Sequence, residues 1–376
     1  MPFPNSPFED AFNSRMITSL HEEISDTTIL NEDYEKTLKW LCCAPKITSY
    51  RVNTLKTNAE EVLKAIRAHI SKVLGEHYIK AEAHPLLFNT IIIGNNEMES
   101  KSLEKYFKEI IVDVECGAAI LRGAHVYAPG VMAMFSGTQI NEKVSIYADV
   151  NKRCKKGLQK LYEDDKIFLG NGITRMVRHQ LFGDQIVPRV FSSPSTKLRK
   201  KVGQLKARCA EFGARAHCFE ADSSKILRPQ GHSQTRIADG PPFSAETFNR
   251  VLLDAPCSAL GKRPQLANRV SEKVVKSYVP LQRRLFETAV GLLKVNGTLV
   301  YSTCTITLAE NEGMVAWALR TFKCLKLVKP SLRLGGPGWG GTSLTEQERN
   351  CVQRFGPDQD VDSVGFFFAC FVKQRS

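Results

Sequence analysis

Two short segments share one grammar and limit what the rest of the chain can become. Arg250-Val251-Leu252-Leu253 runs into Asp254-Ala255-Pro256-Cys257-Ser258, and Leu299-Val300-Tyr301 runs into Ser302-Thr303-Cys304-Thr305. Each is an aliphatic and β-branched run that stops on polar and nucleophilic residues. Such runs, bounded by turn signals, read as buried strands of a parallel sheet. Between them, Ser271 to Lys294 places Val275, Tyr278, Val279, Leu285, Ala289, Leu292 and Leu293 at helical spacing, and Asn296-Gly297 predicts a turn into the second strand. The pattern is a strand–helix–strand crossover. In open α/β sheets, ligands bind in the crevice beyond the strand C-termini. Asp254, Cys257 and Cys304 are therefore expected in one crevice, although 47 residues separate the cysteines.

Two thiols and a carboxylate suit one kind of chemistry. A thiolate is a strong nucleophile whose reactivity is set by its surroundings. Added to C6 of a cytosine, it breaks the aromaticity of the ring and makes C5 nucleophilic. An acid at N3 steadies the developing charge, and a second thiol fits the release of the adduct. Taken singly, each residue has a plain reading. A free cysteine is among the most buried residue types, and a strand-end aspartate often only caps a turn. Both motifs, in this order and joined by a crossover, make the chemical reading the stronger one.

Asp-Ala-Pro-Cys-Ser at 254–258 and Tyr-Ser-Thr-Cys-Thr-Ile-Thr-Leu-Ala-Glu-Asn-Glu at 301–312 resemble the two signature motifs of the Fmu/Sun-type RNA cytosine-5 methyltransferases. The resemblance implies that Cys304 is the nucleophile, that Cys257 assists release, and that Asp254 lies between base and methyl donor. It also implies S-adenosylmethionine as cofactor and RNA as partner.

The composition agrees with that class. Lys and Arg number 52 against 39 Asp and Glu, a net charge of +13, which favours a polyanionic partner. Eleven cysteines form no CxxC pair, so reduced thiols in a cytoplasmic setting are expected, with no metal. Met1 to Glu9 has no apolar signal core, and no apolar run reaches a membrane span of about 18 residues. A monomer is expected.

Along the chain, three regions are expected: 1–110, 111–184 and 185–376. In the first, Ile24 to Leu41 reads as a helix ended by Pro45, Thr48 to Lys56 as a strand, and Asn58 as the N-cap of a helix to Ile70, followed by a buried run from Pro85 to Ile93. Arg51-Val52-Asn53-Thr54-Leu55 resembles the family's N-terminal motif, which implies an α+β region that holds RNA. In the second region, Val112 to Gly130 resembles the opening of a PUA domain, a small β-barrel-like RNA-binding module, with later strands at Val144–Asp149 and Phe168–Gly172. Arg122, Lys152, Arg153, Lys155 and Lys156 offer charge to phosphates, and Tyr127 can stack on a base. An inserted PUA domain matches the family subgroup that acts on tRNA near its acceptor end.

The third region departs from the family. A strand ending in a glycine-rich D-x-C-A-A-P-G-G-K loop, which would wrap the methionine end of the cofactor, is expected after Gly183. The only glycines from there to Asp254 are Gly203, Gly213, Gly231 and Gly240. At Val190-Phe191-Ser192-Ser193, Ser192 stands where a ribose-binding acid is expected. The pattern resumes with a basic helix from Ser195 to Phe212, then a third strand at Ala216–Asp222 whose Asp222 would bind the adenine side. The fold expected is thus α/β: a Rossmann-like methyltransferase domain without its first strand and loop, a PUA domain and an N-terminal α+β region. The function expected is cytosine C5 methylation of RNA, chiefly tRNA. The alternative is a spliced or misassembled form, catalytically impaired, that only binds RNA. Removing the first strand should leave its neighbours unpaired and apolar surface bare. Calorimetry of the purified 376-residue chain with S-adenosylmethionine is therefore expected to show no micromolar binding, and a micromolar isotherm contradicts this reading.

Overall fold

The computed structural model describes residues 4–8, 31–74, 79–95, 103–182, 194–228, 237–357 and 362–375. The expectations at 24–30, at Gly183 and at Val190–Ser193 lie outside them.

The N-terminal part carries α1 (Asn31–Cys42), β1 (Ile47–Arg51), α2 (Ala59–Leu74), β2 (Ile79–Ala83) and β3 (Thr90–Asn95). The strands form an antiparallel sheet in the order β1-β3-β2. Asn58 caps α2 as expected, its Oδ1 accepting from Glu61 N at 2.9 Å. β1 stops at Arg51, short of Lys56, because Asn53 starts a turn: its Oδ1 accepts from Leu55 N at 3.1 Å.

The middle part carries β4 (Glu109–Asp113), α3 (Val114–Leu121), β5 (Val131–Met134), β6 (Lys143–Asp149), β7 (Ile167–Ile173) and α4 (Arg178–Phe182). Its mixed sheet runs β5-β4-β6-β7, with β4 and β6 parallel. Asp113 caps α3 by accepting from Cys116 N at 2.7 Å.

The catalytic part holds α5 (Pro194–Glu211), β8 (Phe248–Asp254), α6 (Glu272–Leu292), β9 (Leu293–Thr303), α7 (Glu312–Thr321), β10 (Leu325–Val328), α8 (Glu346–Arg349), β11 (Gln353–Phe355) and β12 (Phe366–Lys373). The sheet order is β10-β12-β9-β8, with β11 paired to β12. β8 and β9 are parallel and joined by α6, the crossover expected from the sequence. Ser271 caps α6, and Phe286 on its inner face meets Tyr301 of β9 and Phe371 of β12 at ring-centroid distances of 5.8 and 5.5 Å. Asn296-Gly297 does not precede the second strand. It lies inside β9, with Asn296 at φ 63°, and makes a bulge opposite Phe248–Arg250. The terminal strand fills the sheet between β9 and β10.

Two expectations need correction. Ala216–Asp222 is not a strand. A strand needs a ladder partner, and among the described residues this segment has none, the outer edge of β8 being left unpaired. Phe219 instead packs on Phe243, and Phe243 on Phe248, at 6.2 and 5.2 Å. β8 is accordingly bare: Arg250, Leu252 and Asp254 share one exposed face, and Leu252 is 72% exposed. Secondly, α1 does not stay with the N-terminal sheet. Its Leu38 and Leu41 pack with Leu260, Val275 and Ile306 of the catalytic part, and Leu41 O accepts from Gln265 N at 2.9 Å.

The loop after β8 thus joins the three parts. Leu266 enters the core of the middle sheet. Buried Arg263 stacks on Trp40 at 3.9 Å, donates from Nε to Trp40 O at 2.8 Å, and pairs with Asp362 at 2.5 Å. The loop is therefore gripped from both sides just past Cys257.

Candidate active site

Parallel pairing sets the level of the two strand ends. Leu253 lies beside Tyr301 and Asp254 beside Ser302. Cys257 follows three residues past Asp254, and Cys304 follows the last residue of β9. Their sulfurs stand 3.4 Å apart, and both residues are partly buried. Asp254 Oδ1 accepts from Ser302 Oγ at 3.2 Å. The three residues singled out by the sequence therefore meet.

The cysteine pair is electrically uneven. The Cys257 thiol, by hydrogen bonding to Cys304, brings the Cys304 pKa down to about 7, and the positive charge of Lys262 helps, against burial and the charge of Asp254. Cys257 moves the other way, held up by the same hydrogen bond and by burial. Cys304 carries the charge and Cys257 keeps the proton. Gly261 reinforces the arrangement: its N–H donates to Cys304 O at 3.0 Å, and Gly365 N donates to Gly261 O at 2.7 Å. A side chain at 261 would run into the Gly365 backbone, so only glycine fits there.

Beneath the sulfurs lies a carboxylate that sequence reasoning did not single out. Glu310 is fully buried. Its Oε2 accepts from Ser258 N at 2.9 Å and Gln282 Nε2 at 3.0 Å, and its Oε1 from Ser258 Oγ at 2.5 Å and Thr307 Oγ1 at 3.0 Å. The signal was the Ala-Glu-Asn-Glu run at 309–312, read only as part of a motif. Next to it, Glu312 pairs with buried Arg354 at 2.5 Å, and the Arg354 guanidinium lies 4.0 Å from the Trp339 ring. Trp339, in the Gly335–Gly341 segment, is thus half-buried against Arg354.

The other predicted residues lie apart from this cluster. Asp222 is exposed in a turn, where Ser224 N and Oγ donate to its Oδ1 at 3.0 and 2.7 Å and hold its pKa below the usual carboxylate range. It lines a cavity of about 330 Å³ with Phe219, Asp239 and Pro242, and Asp254 is not part of that lining. Tyr127 is 70% exposed. Lys155 and Lys156 are exposed beside it, Lys156 Nζ donating to Pro129 O at 3.2 Å. Arg122 is a strut: its Nη1 donates to Pro264 O at 2.9 Å, tying the middle part to the motif loop. Lys152 and Arg153 reach Glu115 and Asp164 at 3.8 and 3.4 Å, so part of the basic run is neutralised. Among the described residues, no helix is long and apolar enough to cross a membrane.

With this geometry in hand, likeness to known proteins can be weighed. The model of the 16S rRNA methyltransferase RsmB/F family matches residues 195–372. The tRNA (cytosine(72)-C(5))-methyltransferase NSUN6 of Mus musculus is 34% identical, with 91% of this chain and 90% of the relative covered. The chain belongs to the RNA cytosine-C5 methyltransferase family. NSUN6 of Homo sapiens is 32% identical, over 98% of this chain and 96% of its own. The alignment with the mouse protein spans 436 positions, more than the 376 residues of this chain, so that relative of the methyltransferase family carries residues with no counterpart here. The crystal structure of NSun6 from Pyrococcus horikoshii with SFG superposes with a TM-score of 0.66 at 20% identity, covering 99% of this chain and all of the other, a likeness of fold.

The methyl donor of this family is S-adenosylmethionine. The described residues do not complete a cradle for it. Asp254 lies at the end of β8, the last strand of the sheet among the described residues, and Asp222 Oδ1 accepts from Ser224 while its side chain stays exposed.

Alkylation tests the uneven pair. The rate of iodoacetamide attack at Cys304, followed by peptide mass mapping, is expected to rise through a midpoint of about 7. In Cys257→Ala that midpoint is expected to climb toward an ordinary thiol value of about 8.5. Equal midpoints in the two proteins contradict the pairing.

Proposed function

We propose that the chain acts on cytosine in tRNA as an RNA cytosine-C5 methyltransferase that works through a covalent adduct at Cys304. The observation that carries this is the 3.4 Å approach of the two sulfurs, with the lowered pKa on Cys304. The target base leaves its stack to reach the crevice. The Cys304 thiolate forms a bond to C6, and electron density moves into the ring, toward N3 and C5. Asp254, at the end of β8, polarises the base. Bound donor supplies the methyl group at C5. A base takes the C5 proton, the C5–H electrons re-form the C5–C6 double bond, and the C6–S bond breaks with its electrons returning to Cys304. The Cys257 thiol, already directed at that sulfur, steadies the departing thiolate. The middle sheet, with Tyr127, Lys155 and Lys156 on its surface, serves as a PUA-type RNA clamp, and the N-terminal sheet extends it. Cytosine 72 of tRNA, the target named for the mouse and human relatives, is the first substrate to test.

One observation favours a second reading, an RNA binder that forms the adduct without passing on a methyl group: among the described residues no strand pairs with the outer edge of β8, where a cofactor floor belongs.

Transfer of labelled methyl to tRNA separates the two. The first reading expects label with the wild type and a loss on the order of a thousandfold or more in Cys304→Ala. It also expects Cys257→Ala to accumulate a protein–RNA adduct on denaturing gels. Label from Cys304→Ala overturns Cys304 as nucleophile. The adduct in Cys257→Ala, with no label from the wild type, selects the second reading.

A further inference from the structure

The two cysteine loops meet the buried carboxylate of Glu310 through the residues next to the sulfurs. Ser258 follows Cys257, and Thr305 follows Cys304. Ser258 Oγ lies 2.5 Å from Glu310 Oε1 and 2.6 Å from Thr305 Oγ1. Because the Ser258 hydroxyl gives its hydrogen to the carboxylate, the Thr305 hydroxyl must donate to Ser258. The result is a relay from Thr305 through Ser258 to Glu310. Gln282, from α6, spans the other side, its Nε2 donating both to Glu310 Oε2 and to Pro256 O at 2.9 Å, the residue before Cys257. Tyr301 OH donates to Glu310 O at 2.6 Å, which ties the same residue to β9.

We propose that Glu310 is a positioning residue for the cysteine pair: its carboxylate grips the residues beside Cys257 and Cys304 and keeps the two sulfurs in contact. The proposal rests on the reading of Cys304 as nucleophile, but its consequences show without RNA or methyl donor. A buried carboxylate is costly unless its oxygens are paired, and here four donors converge on it. Each of those donors comes from a segment that carries or backs a cysteine, apart from Thr307, which closes the loop from Thr305 back to Glu310. Burial pushes the Glu310 carboxyl up, while the bonds from Ser258, Thr307 and Gln282 pull it down. Loss of the carboxylate orphans Ser258 N–H and the Gln282 amide in a dry interior. The two loops then lose their shared anchor.

The test is thiol titration with four proteins: wild type, Glu310→Leu, Glu310→Gln, and the double variant Ser258→Ala/Thr305→Val. Glu310→Leu keeps the volume and removes the acceptors. Its Cys304 alkylation midpoint is expected to leave the value of about 7 and approach that of an ordinary thiol, about 8.5. Diamide-driven formation of the Cys257–Cys304 disulfide is expected to slow at least about tenfold. Glu310→Gln is expected to keep the wild-type midpoint, because its amide oxygen still accepts from Ser258 N–H and Gln282 while the hydroxyls can turn to accept from the amide NH₂. The double variant cuts only the hydroxyl relay and is expected to shift the midpoint in the same direction by less. If Glu310→Leu does not fold, the double variant decides. A role in stability alone lowers the melting temperature and leaves the midpoint near that of wild type; that outcome in a folded Glu310→Leu, or no shift in the double variant, overturns the proposal. Failure of methyl transfer to tRNA leaves these thiol readouts untouched, so the two ideas can fail separately.

Discussion

The parallel pairing of β8 with β9 is the constraint on which everything else in the catalytic part depends. It fixes Asp254 beside Ser302 and so brings two loops, 47 residues apart in the chain, to one level. A slip of one residue in that pairing would exchange the faces of every side chain on the strand. The register is held from the buried side, where Tyr301 and Leu299 of β9 meet Phe286 of α6 and Phe371 of β12 in one core. The apolar cluster thus positions the two sulfurs.

Local features were legible in the sequence wherever they need no distant partner. Ser271 and Asn58 cap their helices because a cap is a bond to a backbone N–H two or three residues on. The crossover and the meeting of the cysteines followed from strand-end chemistry and a general rule of α/β sheets. The failures have one cause. Ala216–Asp222 has strand composition, but a strand is a property of a pair, and among the described residues this segment pairs with no strand. Asn296-Gly297 has turn composition, yet β9 absorbs it as a bulge. The bond from Arg122 to Pro264 O joins residues 142 apart, which no local spacing reveals. Glu310 was in plain view inside a motif, but its donors come from 258, 282 and 307, and no spacing rule links those numbers.

The described residues hold the two halves of the chemistry unequally. The thiol half is complete, down to the second layer of hydrogen bonds at Glu310 and the Glu312–Arg354 pair behind it. The donor half meets an open strand with Leu252 in solvent. Edge strands of this kind are normally covered or charged; among the described residues nothing pairs with the outer edge of β8. The chain's net charge of +13 remains, and so do the exposed Tyr127, Lys155 and Lys156, which need no cofactor to meet RNA.

Exchange at C5 probes the nucleophile alone. Addition of the Cys304 sulfur to C6 labilises the C5 hydrogen whether or not a methyl group follows. With tRNA carrying tritium at cytosine C5, the wild-type chain is predicted to release tritium to water without any donor, and Cys304→Ala is predicted to release none. Release at the same rate by both, or by neither while tRNA is bound, would contradict the account.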